Sequence, residues 1–181
     1  MSEYLKPGDI VPKNAEGYQP LPTYVRPLFK TRIPPVELLK MDYPNHKWNI
    51  SGGWGYTMDT ALVIEEDRTM HGLSMESMFV QYRTYEELIV FLEAEKSFSG
   101  IEWKKLRQSL HGVDGRSYDF IEYLVTAFLD SDWQMLKADW ESHNGYIGDR
   151  EGFAAHQALR KSKQIGFYTI CWFDITMFYG K

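Results

Sequence analysis

One aspartate and two histidines have the spacing of a possible metal site. Asp139 and His143 lie four positions apart, which places both side chains on one face of a helix, and His156 falls on the next predicted helix. Three such ligands can hold a zinc ion and leave one position for a water nucleophile. However, no H-E-x-x-H motif is present, and a histidine near a helix C-terminus is favourable without a metal. We therefore predict no bound metal or other cofactor, and keep these three residues as the candidate ligands.

A glycine-rich stretch, "GGWGY", raises the question of a phosphate loop. Such a loop needs glycines between a strand and a helix N-terminus, whereas Gly52, Gly53 and Gly55 precede a predicted strand. The spacing instead predicts a backbone corner in which at least one glycine has positive φ. Trp54 and Tyr56 at this corner are our predicted binding residues, with the Trp54 ring partly exposed.

Motifs for nucleophilic catalysis are missing from the sequence. There is no G-x-S-x-G elbow, and the single cysteine, Cys171, sits in an apolar run typical of a buried hydrophobic residue. Asp174 lies in the same run and needs a partner if it is buried. We predict structural pairing with an arginine or a tyrosine, and a functional carboxylate is the alternative. These observations favour a protein that is not an enzyme.

The elements that position these residues follow from hydrophobic periodicity and capping signals. Two strands of a hairpin are predicted from residue 56 and over 73–83, and a last strand over 167–179 is apolar on both faces. Predicted helices begin near Thr84, Ser99, Ser117, Ser131 and Asp149. The pattern predicts an α+β fold: a small antiparallel sheet, made of the N-terminal hairpin plus a central C-terminal strand, packed with four to five helices.

The distribution of proline divides the chain into two segments of different composition. All eight prolines lie at or before Pro44, and proline is disfavoured inside helices and sheets. We predict an extended Pro-rich arm over residues 1–48, which packs on a single α+β domain over residues 49–181. The sequence leaves open whether the arm covers its own body or a neighbouring copy.

Composition limits the class of partner. The chain of 181 residues has a net charge of −5, with 44% hydrophobic and 15% aromatic residues. An acidic surface disfavours binding to nucleic acid. The sequence contains neither a signal peptide nor a segment of the roughly 20 apolar residues that span a bilayer, so no membrane association is predicted. A single cysteine without an export signal predicts a cytoplasmic location.

These features together predict a soluble, non-enzymatic protein-binding module. An inhibitor or a toxin-immunity-like protein that neutralises a basic partner is one concrete form of this prediction. Two alternatives stay open: a small metal-dependent hydrolase that uses Asp139, His143 and His156, and a structural assembly protein whose arm bridges subunits. The oligomeric state is left open.

Overall fold

The computed structural model describes residues 12–25, 33–45, 47–65 and 72–177. Parts of three predicted segments lie outside these residues. They are 1–11, 26–32 and 46 in the arm, 66–71 in the connection within the predicted hairpin, and 178–179 in the final strand.

The described residues form a mixed sheet of six strands. Five of them run in the order β2-β3-β6-β5-β4, and β1 lies beside β6. All neighbouring pairs are antiparallel except β3 and β6, which are parallel. The strands are β1 (Lys13–Asn14), β2 (Ile50–Gly52), β3 (Leu62–Ile64), β4 (Phe98–Val113), β5 (Arg116–Leu129) and β6 (Ile165–Asp174).

Four α-helices accompany the sheet in the described part of the chain. They are α1 (Pro35–Asp42), α2 (Gly72–Tyr85), α3 (Asp130–Ser142) and α4 (Arg150–Lys163). A short π-helical segment, Glu86–Val90, continues α2, and 3-10 turns lie at Met58–Thr60 and Ala94–Lys96. The helices α3 and α4 are consecutive and form a helical hairpin between β5 and β6.

The predicted fold class is wrong, because the sheet differs from the one that we expected. We predicted a small antiparallel sheet of one N-terminal hairpin and a C-terminal strand, whereas the sheet has six strands and is mixed. The predicted helices at 99–112 and 117–128 are the long strands β4 and β5. The predicted strand at 73–83 is helix α2.

The turn between β4 and β5 explains why these segments form a hairpin. Asp114 and Gly115 both have positive φ, at 49° and 76°, which is the geometry of a type I′ turn. Asp-Gly is a strong hairpin signal at this position. Consecutive residues of β5 are buried over most of its length, so both of its faces are covered and its hydrophobic pattern resembles that of a buried helix.

Helix α2 covers one face of the sheet. Met75, Phe79 and Tyr82 recur at helical spacing and are buried in the main core, where they join Ile121 of β5 and Phe173 of β6. A period-two pattern also fits this segment, which is why the sequence alone misassigned it. The core therefore lies between α2 and the central strands.

Two described parts of the N-terminal segment contact the sheet. Lys13 and Asn14 of β1 pair with Tyr168 and Phe167 of β6, and Leu39 of α1 is buried in the main core. The division of the chain into an arm and a body at residue 48 stays a prediction.

Candidate interaction site at the tip of a helical hairpin

The hairpin formed by α3 and α4 is joined to the sheet at its base. A Cβ added to Gly100 of β4 would lie 2.7 Å from the ring of Trp133, so glycine lets the first turns of α3 approach the strand closely. The guanidinium of Arg160, near the end of α4, lies over Phe128 at 5.1 Å and reaches Glu102 at 3.7 Å. These contacts leave the far end of the hairpin as a projecting tip.

Local sequence signals specify α4 well and α3 less well. Asp149 caps α4, because its Oδ1 accepts a hydrogen bond from the amide of Gly152 at 2.8 Å. Basic residues occupy the last turn of α4, where they complement the helix dipole. Helix α3 begins at Asp130, one residue before the predicted cap Ser131, and Leu129 at the cap position makes no side-chain hydrogen bond.

Asp139 is the centre of a polar network that joins the two helices at the tip. Its Oδ2 lies 2.6 Å from Nδ1 of His156 on α4 and accepts a hydrogen bond from the Tyr146 hydroxyl at 2.7 Å. Nδ1 of His143 lies 2.8 Å from the Asp139 carbonyl oxygen and 3.5 Å from its Oδ1. The three residues predicted from spacing are therefore brought together, with Tyr146 as a fourth member.

Hydrogen bonding explains the electrostatics of this network. The bonds from His156 and Tyr146, in that order of importance, lower the pKa of the Asp139 carboxyl group. Desolvation and the bond to Asp139 raise the pKa of Tyr146 to about 12. At neutral pH Asp139 is thus an anion that accepts hydrogen bonds, and Tyr146 keeps the proton that it donates.

The connection between the helices is a left-handed turn. Asn144, Gly145 and Tyr146 have φ values of 49°, 66° and 58°. A positive φ is common for glycine, tolerated by asparagine and unfavourable for a bulky residue such as tyrosine. The stacking of Tyr146 on His143, at 4.7 Å between ring centroids, and the bond to Asp139 offset this cost. Strained backbone that is held by surrounding contacts is typical of functional segments.

Three apolar side chains are exposed at the tip: Trp140, Ile147 and Phe153, which we call the tip surface. Ile147 is 82% exposed, directly after the strained Tyr146. Trp140 packs edge-on against both Tyr146 and Phe153, at 6.0 Å and 6.2 Å between centroids. The tip surface is therefore held in place by the network beneath it.

Neither the tip surface nor Tyr146 was predicted from the sequence. The signal for this surface in the sequence is local: Gly145 and Gly148 flank an apolar pair, Tyr146-Ile147, in an otherwise polar loop. Glycines on both sides of apolar residues indicate a turn that presents them to solvent.

A metal is not supported at the predicted ligands. Both imidazoles direct Nδ1 toward Asp139. The oxygens of Asp139 are therefore occupied as hydrogen-bond acceptors and are not available as metal ligands. Within residues 12–25, 33–45, 47–65 and 72–177, no group of three or more His, Cys, Asp or Glu side chains is arranged to hold a metal ion.

The predicted binding residues at the glycine corner lie in the core. Trp54 and Tyr56 are 4% and 3% exposed, so the partial exposure that we expected for Trp54 is wrong. Trp54 stacks on Phe79 at 6.0 Å, and its Nε1 donates to the carbonyl of Ile33 at 3.0 Å. A binding role for Trp54 and Tyr56 stays a prediction, but in this conformation neither offers a surface to a partner.

The glycines of this corner bring two backbone segments into contact. Gly55 has a φ of 72°, and a Cβ on it would lie 2.9 Å from the carbonyl oxygen of Trp172. The carbonyl of Gly55 accepts a hydrogen bond from the Trp172 amide at 2.8 Å. The predicted positive φ is confirmed. The glycine corner therefore attaches the segment around Gly55 to β6.

A buried arginine fastens α2 to the sheet below this corner. The Arg83 guanidinium donates to the carbonyls of Trp54 and Ile170 at 2.8 Å and 2.7 Å, and to the Thr169 hydroxyl at 2.9 Å. It also lies 4.3 Å from the centroid of the Tyr56 ring. This side chain is completely enclosed, so its contacts are structural.

The remaining polar candidates also have structural surroundings. Asp174 is buried, and its Oδ2 accepts from Arg116 at 3.3 Å while Oδ1 accepts from Thr176, which confirms the predicted pairing with an arginine. Cys171 is buried, and burial raises the pKa of its thiol to about 11. A thiol with such a pKa is protonated at neutral pH and a poor nucleophile.

Comparisons of the chain with protein-family models, with curated proteins and with solved structures found no match. In the described part of the chain, no helix has the length and apolar character to cross a bilayer. The function proposed below therefore rests on the geometry of the molecule itself.

Proposed function

We propose that this protein is a non-enzymatic binding module that recognises a basic protein through the tip surface. An inhibitor or a toxin-immunity-like protein is the concrete form of this proposal. The observation that carries it is the exposure of Ile147 at the end of a hairpin that projects from the sheet. Exposed apolar side chains that cluster in this way are typical of protein interaction sites.

Preorganisation supports this assignment. The bonds of Asp139 to His156 and Tyr146 fix the turn before any partner arrives. A rigid binding surface loses less conformational entropy on association, which improves affinity. Trp140 supplies an aromatic anchor beside Ile147, and tryptophan is among the residues enriched at interface hot spots.

Charge at the tip favours a basic partner. Residues 140–153 carry three carboxylates, on Glu141, Asp149 and Glu151, against one guanidinium, on Arg150. The whole chain is also acidic. An acidic surface of this kind accelerates the encounter with a basic protein, and raising the salt concentration weakens that effect. A cytoplasmic location remains part of the proposal.

A pair of matched variants tests the proposal. Ile147→Asp removes the central apolar contact, and Met41→Asp makes the same kind of change at a residue of α1 that is 73% exposed. Each purified variant is immobilised and exposed to native cell extract, and the retained proteins are quantified. We expect a basic protein that the wild type and Met41→Asp retain, that Ile147→Asp loses, and that salt elutes. Equal retention by all three proteins would exclude the tip surface.

The hydrolase alternative has a separate test. If Asp139, His143 and His156 bound zinc, the purified protein would take up the metal, and His156→Ala would abolish the uptake. The binding proposal expects no stoichiometric zinc in the wild type.

A further inference from the structure

Strand β4 is an unusually long edge of the sheet. It has 16 residues, and in the described part of the chain it pairs with β5 alone. Its register with β5 shifts between Ser99 and Glu102 and again between Lys105 and Arg107. From Arg107 to Val113 the pairing is regular. Within the described residues, one side of this regular segment therefore has unpaired backbone groups over seven residues.

The two parts of β4 differ in how they are protected. Natural edge strands avoid pairing with other chains through lysines and bulges, and the part around Lys104 and Lys105 has both. By contrast, residues 108–113, "QSLHGV", contain no acidic residue, no lysine, arginine or proline, and no register shift. Leu110 in the middle of them is 48% exposed. This segment is a template for another strand.

We propose that a second copy of this chain pairs with the free edge of β4, antiparallel, about a two-fold axis at Leu110. An axis perpendicular to the sheet keeps each side chain on its own face, so it must pass between two equivalent residues. Centring it on Leu110 uses the whole regular segment. Leu110 then lies opposite the partner's Leu110, and Ser109 lies opposite the partner's His111.

Charge complementarity favours this register over one that is centred on the basic part of β4. With the axis at Leu110, Arg107 lies opposite the partner's Val113, and Lys105 reaches the level of the turn that holds the partner's Asp114. An axis at residue 106 would place Lys105 opposite Arg107 of the second copy, and Arg107 opposite its Lys105. Like charges directly opposite each other destabilise a strand pair.

This interface is separate from the tip surface. The hairpin α3–α4 follows Leu129, which pairs with Phe98 at one end of β4. The proposed pairing lies at the other end, next to the Asp114-Gly115 turn. The dimer can therefore form without covering Ile147, and its test is independent of the test of partner binding.

Introduction of a charge at the two-fold axis tests the proposal. We expect the wild type to approach twice its monomer mass of 21.2 kDa in sedimentation equilibrium at high concentration. Leu110→Lys and Leu110→Glu should each be monomeric, because each places like charges opposite one another. An equimolar mixture of the two should recover the dimer, since lysine then faces glutamate. Circular dichroism checks that both variants are folded.

Leu106→Lys is the matched control. Leu106 lies on the same strand and is 43% exposed, but it is outside the regular segment. We expect this variant to remain dimeric. A wild type that stays monomeric up to millimolar concentration would overturn the proposal, as would a Leu110→Lys dimer or a mixture that fails to associate.

Discussion

Removal of the Arg83 side chain tests how α2 is held on the sheet. Its guanidinium is the donor for the carbonyl oxygens of Trp54 and Ile170 and for the hydroxyl of Thr169, all of them in or beside the core. In Arg83→Ala these three groups lose their donor. A buried polar group without a partner costs about 1–3 kcal/mol.

Two further effects set the expected magnitude. The truncation leaves a cavity beside the Tyr56 ring, which adds to the loss. In the opposite direction, the folded state no longer encloses a charge whose desolvation is unfavourable, a cost that also lowers the pKa of Arg83. We therefore expect Arg83→Ala to lower the free energy of unfolding by about 3–5 kcal/mol.

Urea unfolding followed by tryptophan fluorescence measures this loss. Arg150→Ala is the control, because Arg150 is exposed at the start of α4. Its effect should stay within about 0.5 kcal/mol. Arg83→Lys keeps the charge but cannot donate along the same directions, so it should fall between the two. If Arg83→Ala unfolds within about 0.5 kcal/mol of the wild type, the guanidinium does not hold α2.

Three other perturbations follow from the same structure. Gly52→Ala should lower the free energy of unfolding by at least about 1 kcal/mol more than Gly17→Ala. Both glycines have a φ of 82°, but only at Gly52 would a Cβ meet a backbone oxygen, at 2.4 Å. Equal losses of stability in thermal melts of the two variants would contradict this. Trp172→Ala should destabilise by about 3–5 kcal/mol in urea unfolding, since its buried ring packs on Phe120, and a loss below about 1 kcal/mol would be a refutation. Burial and the neighbouring Asp119 raise the pKa of Glu76 from 4.5 to about 8. Between these two pH values the folded protein keeps a proton on Glu76 that the unfolded chain has lost. The contribution of Glu76 to the free energy of unfolding therefore declines as the pH rises from 4.5 to about 8. Glu76→Gln should remove that decline, and parallel stability profiles for Glu76→Gln and the wild type from pH 5 to 8 would show that the carboxyl group is not responsible.

The helical hairpin and the last strand could be predicted from the sequence because their signals are local. Asp149 at the start of α4 and the basic residues at its end define the helix without tertiary information. The apolar run over 167–179 indicated a strand covered on both faces, and β6 does lie between β5 and β3, although it ends at Asp174. The joining of Asp139 and His156 followed from their places on consecutive helices.

The β4–β5 hairpin could not be read from periodicity because tertiary position determines its pattern. Strand β5 is apolar on both faces, so the alternation that distinguishes a strand is absent. The Asp114-Gly115 dipeptide was the available signal, but it lies in the connection between the two segments that were wrongly predicted as helices. Tyr56 and Trp54 were misplaced for a related reason, since the burial of an aromatic ring at a corner depends on α2, which packs over it.

The projecting tip could not be predicted from the sequence for a different reason. The exposure of Ile147 depends on three consecutive residues with positive φ, and two of them, Asn144 and Tyr146, are not glycine. Such a turn is maintained by contacts of Tyr146 with the Asp139 side chain, which lies in α3, and with the ring of His143, which directly precedes the turn.

Site-specific photo-crosslinking at residue 147 tests the central claim most directly. A photoreactive amino acid replaces Ile147 in one protein and Met41, the exposed residue of α1, in another. If the tip surface binds a basic protein, illumination in cells should give a discrete adduct from position 147 that is absent from position 41, and the captured protein should be basic. Adducts of the same protein in equal yield from both positions, or no adduct from position 147, would contradict the account.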